Sequence, residues 1–211
     1  YDAGLVQSKT EGAEARRVFN IRMRATDTDK WTAFDMVAFN DFEQNTINLL
    51  TPIEGKNIPD KREVVLELGA LDHIDVKVGD TVEFQLQDGS LKTMIVVGVV
   101  QDTAMGAGDF LASPYGYISM DTLQYLQQPD SYNRAYVTVG AGGDDISYIR
   151  EVGAELKDKL EKNGTLVVRT RYAMTHEHPL ASTVNAILGI LLALGILIVF
   201  LSSSLIANTL S

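Results

Sequence analysis

The sequence predicts an α+β fold followed by one transmembrane helix, and three observations predict it. Short apolar stretches between residues 19 and 139 alternate with polar residues at a period of two, the pattern of half-buried strands. One later stretch, 144–162, instead repeats its apolar residues at spacings of three and four, the pattern of an amphipathic helix. From His178 to Ser211 there is no Lys, Arg, Asp or Glu.

The charge is unevenly spread. The 211 residues carry a formal net charge of −10, all of it within residues 1–177. An acidic surface with no basic run disfavours nucleic acid, whose phosphates require Lys and Arg. Without cysteine there is no disulfide framework, no thiolate catalysis and no Cys-based zinc site. The chain opens at Tyr1 with no basic stretch leading into an apolar one, and it reads as a piece of a longer polypeptide.

Taken in order, residues 1–16 read as a polar lead-in or stalk. Within it Glu11, Ala13, Glu14, Ala15 and Arg16 are able to form helix. Phe19, Ile21, Met23 and Ala25 alternate with polar neighbours and predict a strand, and Trp31 to Phe39 predicts a second after a polar turn. Asp41 to Leu50 reads as a short helix or an extended segment. Pro52, Gly55 and Pro59 punctuate the chain before a strand over Glu63 to Leu68.

Gly79 marks a turn, Val82, Phe84 and Leu86 alternate, and Asp88-Gly89 is a hairpin signal before the β-branched run Met94 to Val100. These strands predict a compact β module, a small barrel or sandwich. After a glycine-rich loop, 102–114, come a strand over Tyr115 to Met120, a short helix over Asp121 to Gln128 and a strand over Arg134 to Val139. The amphipathic helix follows, with Gly164 as its left-handed cap. A last strand over Thr165 to Arg171 leads to a linker.

The tail is a membrane segment by length and by symmetry. Ala186 to Leu201 is unbroken by any polar residue, and the stretch to Ala207 would rise about 33 Å as a helix. A bilayer core is about 30 Å thick. No polar stripe runs along it, as one would on a surface helix. Gly189 and Gly195 allow another helix to approach closely, and Ser202, Ser203, Ser204 and Asn208 can hydrogen-bond between helices. A helix serving only as an anchor has little use for them, so these six are the candidate helix-packing residues.

Chemical motifs are weak. His176 and His178 could share a metal on an extended segment, but no third ligand is evident, and a juxtamembrane linker explains them. Gly140 to Gly143 lies between a strand and a helix yet lacks the spacing and the Lys of a phosphate loop. Asp144 or Asp145 beside it is better explained as a helix cap. Asp27 and Asp29 are too short a run for a calcium loop, and no nucleophile elbow occurs. No catalytic, cofactor or metal site is assigned, and the substrate-contacting surface carries no motif.

The order of these pieces resembles a known family. Residues 63–102, "EVVLELGALDHIDVKVGDTVEFQLQDGSLKTMIVVGVVQD", resemble the β module in the extracytoplasmic domain of macrolide-exporter-type and FtsX-like ABC transporter permeases. The upstream "NTINLLTPIEGKNIPD", with Lys56 where arginine is usual, and the downstream "YISMDTLQYL" resemble that domain's flanking segments. "HPLASTVNAILGILLALGILIVFLSSSLIANTLS" resembles the return into the membrane that opens the permease helices.

The resemblance implies a two-lobed extracytoplasmic domain of the MacB periplasmic type. A mixed α/β lobe from 17–50 plus 130–175 would carry an inserted β-rich lobe at 51–129, and 184–208 would be the membrane helix. It implies a bacterial cell membrane with residues 1–180 outside the cytoplasm, and a further membrane helix before Tyr1. The partners would be a cytoplasmic ATP-binding subunit, a second permease subunit, identical or related, and the lipid bilayer, with no nucleic acid and no cofactor. Such a permease is not an enzyme; it transmits ATP-driven motion to expel or extract a substrate outside the membrane. Two other outcomes remain open at this point. One is a regulatory FtsX-like subunit controlling an extracellular partner such as a cell-wall hydrolase; the other is a tail-anchored extracellular binding module.

Overall fold

A computed structural model describes residues 9–26, 28, 30–40, 47, 49–102, 113–174 and 181–209; in the last segment the side chains described are those of 184–202. The chain falls into two compact units, Tyr1–Met174 and Thr175–Ser211.

The first unit is built on eight strands: β1 Thr10–Ala25, β2 Thr32–Phe39, β3 Leu50–Gly55, β4 Glu63–Glu67, β5 Thr81–Gln85, β6 Leu91–Asp102, β7 Tyr115–Ser119 and β8 Arg134–Val139. Six of them form a closed ring of pairings. β1 pairs with β2, β2 with β7, β7 with β4, β4 with β6, β6 with β5, and β5 with β1. β2–β7 and β4–β6 are parallel and the rest antiparallel. Closure removes the unpaired edges that an open sheet of these strands would expose.

The period-two pattern explains what fills the ring. Ile21, Met23 and Ala25 of β1, Phe34, Met36 and Ala38 of β2, Val64 and Leu66 of β4, and Val82 and Phe84 of β5 join Met94, Val96 and Ile118 in one buried cluster. A one-residue slip in any of these strands would turn its apolar set outward. A second, smaller cluster of Val37, Phe39, Val65, Val100 and Tyr117 uses the alternate residues of β2, β4, β6 and β7. These strands are therefore apolar on both faces, as the β-branched run in β6 suggests.

Two strands leave the ring. The first half of β1 continues past the barrel and pairs with β8, from Thr10 opposite Val139 to Arg16 opposite Arg134. β3 pairs only with the end of β6, from Leu50 opposite Asp102 to Gly55 opposite Gly98, with a bulge between Pro52 and Glu54. Helix α1, Ile146–Lys162, follows β8 and buries Ile149 and Val152. Asp145 caps its start by accepting from the Ser147 amide at 2.8 Å. At its end Gly164 takes φ +84°, and the Gly164 and Thr165 amides return to the Glu161 and Leu160 carbonyls, a Schellman motif.

Several elements differ from expectation. Residues 11–16 are strand rather than helix: their helix-forming residues alternate between half-buried and exposed, and pairing with β8 overrides weak local propensity. β3 forms across the proline-punctuated stretch because Pro52 sits on an edge strand, where its missing N–H costs little. Asp121 to Gln128 holds only a 3-10 turn, Met120–Thr122, followed by further turns. Thr165 to Arg171 is not paired as a strand. β1 and β2, expected with the α/β lobe, pair into the ring with strands from 51–129. Most of 41–50 and of the glycine-rich loop lies outside the described residues.

The second unit is helix α2, Ala181–Thr209. Its 29 residues would extend roughly 43 Å. Val184–Ser202 has a mean hydropathy of 2.8 and no buried residue, long and apolar enough to cross a membrane.

Candidate functional site

Among the described residues no catalytic constellation emerges; the informative places are the faces of α2, two buried polar clusters and the segment after α1. On α2 every described side chain is exposed, and Leu192, Leu197 and Leu191, which lie on different sides of the helix, are 68%, 52% and 58% exposed. An apolar helix exposed all round needs lipid or other helices around it. Gly189 and Gly195 leave open notches, with nothing within 4 Å of a β-carbon placed at either. Leu191, Leu192, Ile196, Val199 and Phe200 surround the notch at Gly195. Ser202 is exposed. The side chains of Ser203, Ser204 and Asn208 lie outside the described residues.

The first polar cluster centres on Arg16, which is 1% exposed despite its charge. Its guanidinium lies between two rings, 4.4 Å from the centroid of Phe39 and 4.6 Å from that of Tyr136. It donates to Glu14 at 2.8 Å and to the Ile47 carbonyl. The Ile47 amide in turn donates to Glu14 at 2.7 Å. One ion pair thus clips Ile47 to β1 and joins β2 to β8 through stacking. Burial makes it structural: a charge this enclosed must be paired where it sits.

The second lies where β4 and β6 end, beside the middle of β7. Tyr117 donates to Asp102 at 2.9 Å, both buried. Glu67 caps the following 3-10 turn by accepting from the Gly69 amide at 2.6 Å. Burial raises the Glu67 carboxyl above its ordinary value, and the nearby Asp102 charge adds to this. Burial also raises Tyr117, with Asp102 next in effect, so the phenol stays a donor. Sequence pattern alone does not reveal either cluster, because their members are far apart in the chain.

Among the described residues the remaining sequence candidates add no ligand site. The amides of Gly143 and Asp145 bond back within their own turn, to Gly140 and Gly142. They are therefore not aimed at an anion, and Asp145 is the cap. Among the described residues no three His, Asp or Glu side chains come together to hold a metal. His176, His178, Asp27 and Asp29 lie outside the described residues.

After α1 the chain runs from Thr165 to Met174 without turn, bend or ladder. Leu166 and Val168 are 80% and 88% exposed. Near its end Tyr172 sits against Gly153 of α1, where a β-carbon would fall 2.4 Å from the ring.

No family model matches the chain, and no curated protein matches it. Solved structures do. The extracellular domain of the noncanonical ABC-type transporter YknZ from Gram-positive bacteria superposes with a TM-score of 0.51 at 15% identity, over 78% of this chain and 81% of that one. The periplasmic region of MacB from Actinobacillus actinomycetemcomitans gives 0.48 at 15% identity, over 75% and 70%. At such identity the YknZ likeness speaks to fold, and the α+β architecture described above is the fold of that extracellular domain.

Proposed function

We propose that this chain is the extracytoplasmic domain and one membrane helix of an ABC transporter permease. The observation that carries the reading is a conjunction. A closed β domain with the fold of a transporter's extracellular domain lies on the same chain as an uncharged helix of 29 residues. In this reading residues 1–180 lie outside the cytoplasm of a bacterial cell, and α2 is one stave of a helical bundle packed through Gly189 and Gly195. A cytoplasmic ATP-binding subunit and a second permease subunit complete the machine.

The chain's own part is mechanical. The buried polar clusters hold strands together rather than react. The closed barrel, stapled to β8 through Arg16, would move as a stiff body when the membrane helices shift. Its task is to pass ATP-driven motion to a substrate outside the membrane.

The test is isolation of the native chain from its own membranes in mild detergent. The expected result is co-purification of a subunit with ATP-binding motifs and ATPase activity in the complex. A chain that emerges alone, from membranes in which such subunits are intact, contradicts the reading.

A further inference from the structure

We propose that Thr165–Met174 is an open β-edge, and that it takes an extended, acidic strand from a partner protein. The proposal goes beyond the transport reading and does not depend on it.

The segment has the composition of a strand and lacks a strand's partner. Its sequence, TLVVRTRYAM, is rich in β-branched residues, with no glycine or proline. Yet from Leu166 to Met174 no main-chain group bonds to any other among the described residues. Leu166 and Val168, two apart and so on one side of an extended chain, are 80% and 88% exposed. Large apolar side chains beside unused N–H and C=O groups are what strand addition consumes: the ladder gives affinity, and alternate side chains give selectivity.

Both ends of the segment are held. The Schellman motif at Gly164 fixes its start, through the Thr165 amide and the Leu160 carbonyl at 2.9 Å. Near its other end Tyr172 lies against Gly153. An edge fixed at both ends loses less freedom when a strand docks than a free tail would. The contrast with β3 is direct. β3 also has an outer edge, but Pro52 and the adjoining bulge blunt it.

Charge selects the occupant. From Gly164 to Met174 the only charged residues are Arg169 and Arg171, in a chain whose net charge is −10. Neither has a carboxylate partner among the described residues. A partner strand with acidic residues two apart would meet both. A second copy pairing through the same segment would instead bring four arginines into one ladder, which like-charge repulsion disfavours.

The test uses the full chain in detergent and three fluorescent seven-residue peptides. One alternates valine with glutamate, the second has lysine in place of glutamate, and the third is the glutamate peptide with alternate backbone nitrogens methylated. The glutamate peptide is expected to bind and the other two not. Arg169→Glu with Arg171→Glu should weaken the glutamate peptide about tenfold and confer binding of the lysine peptide. Val168→Pro, at an exposed position, should abolish binding without altering thermal stability. Equal binding of both charged peptides, survival of binding after methylation, or no binding would overturn the proposal. So would a dimer in sedimentation that Val168→Pro dissociates, since the edge would then belong to a second copy.

Discussion

The main chain at Lys56 passes directly over the α-carbon of Gly98: a β-carbon there would lie 1.8 Å from the Lys56 carbonyl oxygen. At the same crossing Gly55 takes φ +70°, and its own β-carbon would fall 2.3 Å from the Val97 carbonyl. The Lys56 amide donates to that carbonyl at 2.8 Å. Glycine at both positions is a condition of β3 lying on β6.

Gly98→Ala should therefore destabilise the domain by about 3 kcal/mol, because the obstacle is backbone and cannot rotate away. Gly116→Ala is the control inside the barrel. Its β-carbon would meet the Met36 sulfur at 2.9 Å, a flexible side chain that can give, and the loss should be smaller. Thermal unfolding of both variants checks the order.

Arg16→Ala should cost about 3 kcal/mol or more. It leaves the half-buried Glu14 without this cation and opens the space between Phe39 and Tyr136. Arg16→Lys should recover only part of the loss, since an ammonium cannot stack flat between two rings while bonding to both Glu14 and Ile47. Denaturant titration measures both.

Glu67 gives the domain a pH dependence with a definite sign. Its folded-state value is raised above the ordinary one by burial and by Asp102. The stability it contributes is full below the unfolded value and is lost as pH rises through the folded value. Glu67→Gln keeps an acceptor for the Gly69 amide and removes that dependence. The variant's stability relative to wild type should rise between pH 4 and pH 7, read from denaturation midpoints across that range. A constant difference would show that the Glu67 carboxyl binds its proton equally well folded and unfolded.

The barrel was legible in the sequence because its strands alternate and because Asp88-Gly89 closes a hairpin; Gly89 indeed takes φ +81°. α1 was legible from its spacing, with Asp145 and Gly164 as its caps, and α2 from its lack of charge. What pattern could not show is tertiary. The Glu11–Arg16 stretch looks helical until β8, more than a hundred residues later, supplies its ladder. Thr165 to Arg171 looks like a strand because local composition is strand-like, but a ladder requires a partner that composition does not report. Arg16 looks like a surface residue until Phe39 and Tyr136 close around it.

The most direct test of the central claim is topology in living cells. The chain has no cysteine, so Ser131→Cys, at an exposed position that makes no hydrogen bond, introduces a single reporter. The account predicts that a membrane-impermeant maleimide labels this variant in intact cells, after outer-membrane permeabilisation where an outer membrane exists, while the chain remains with the membrane fraction through a carbonate wash. Labelling only after the inner membrane is broken, or release of the chain by the wash, would contradict an extracytoplasmic domain held by a membrane-spanning α2.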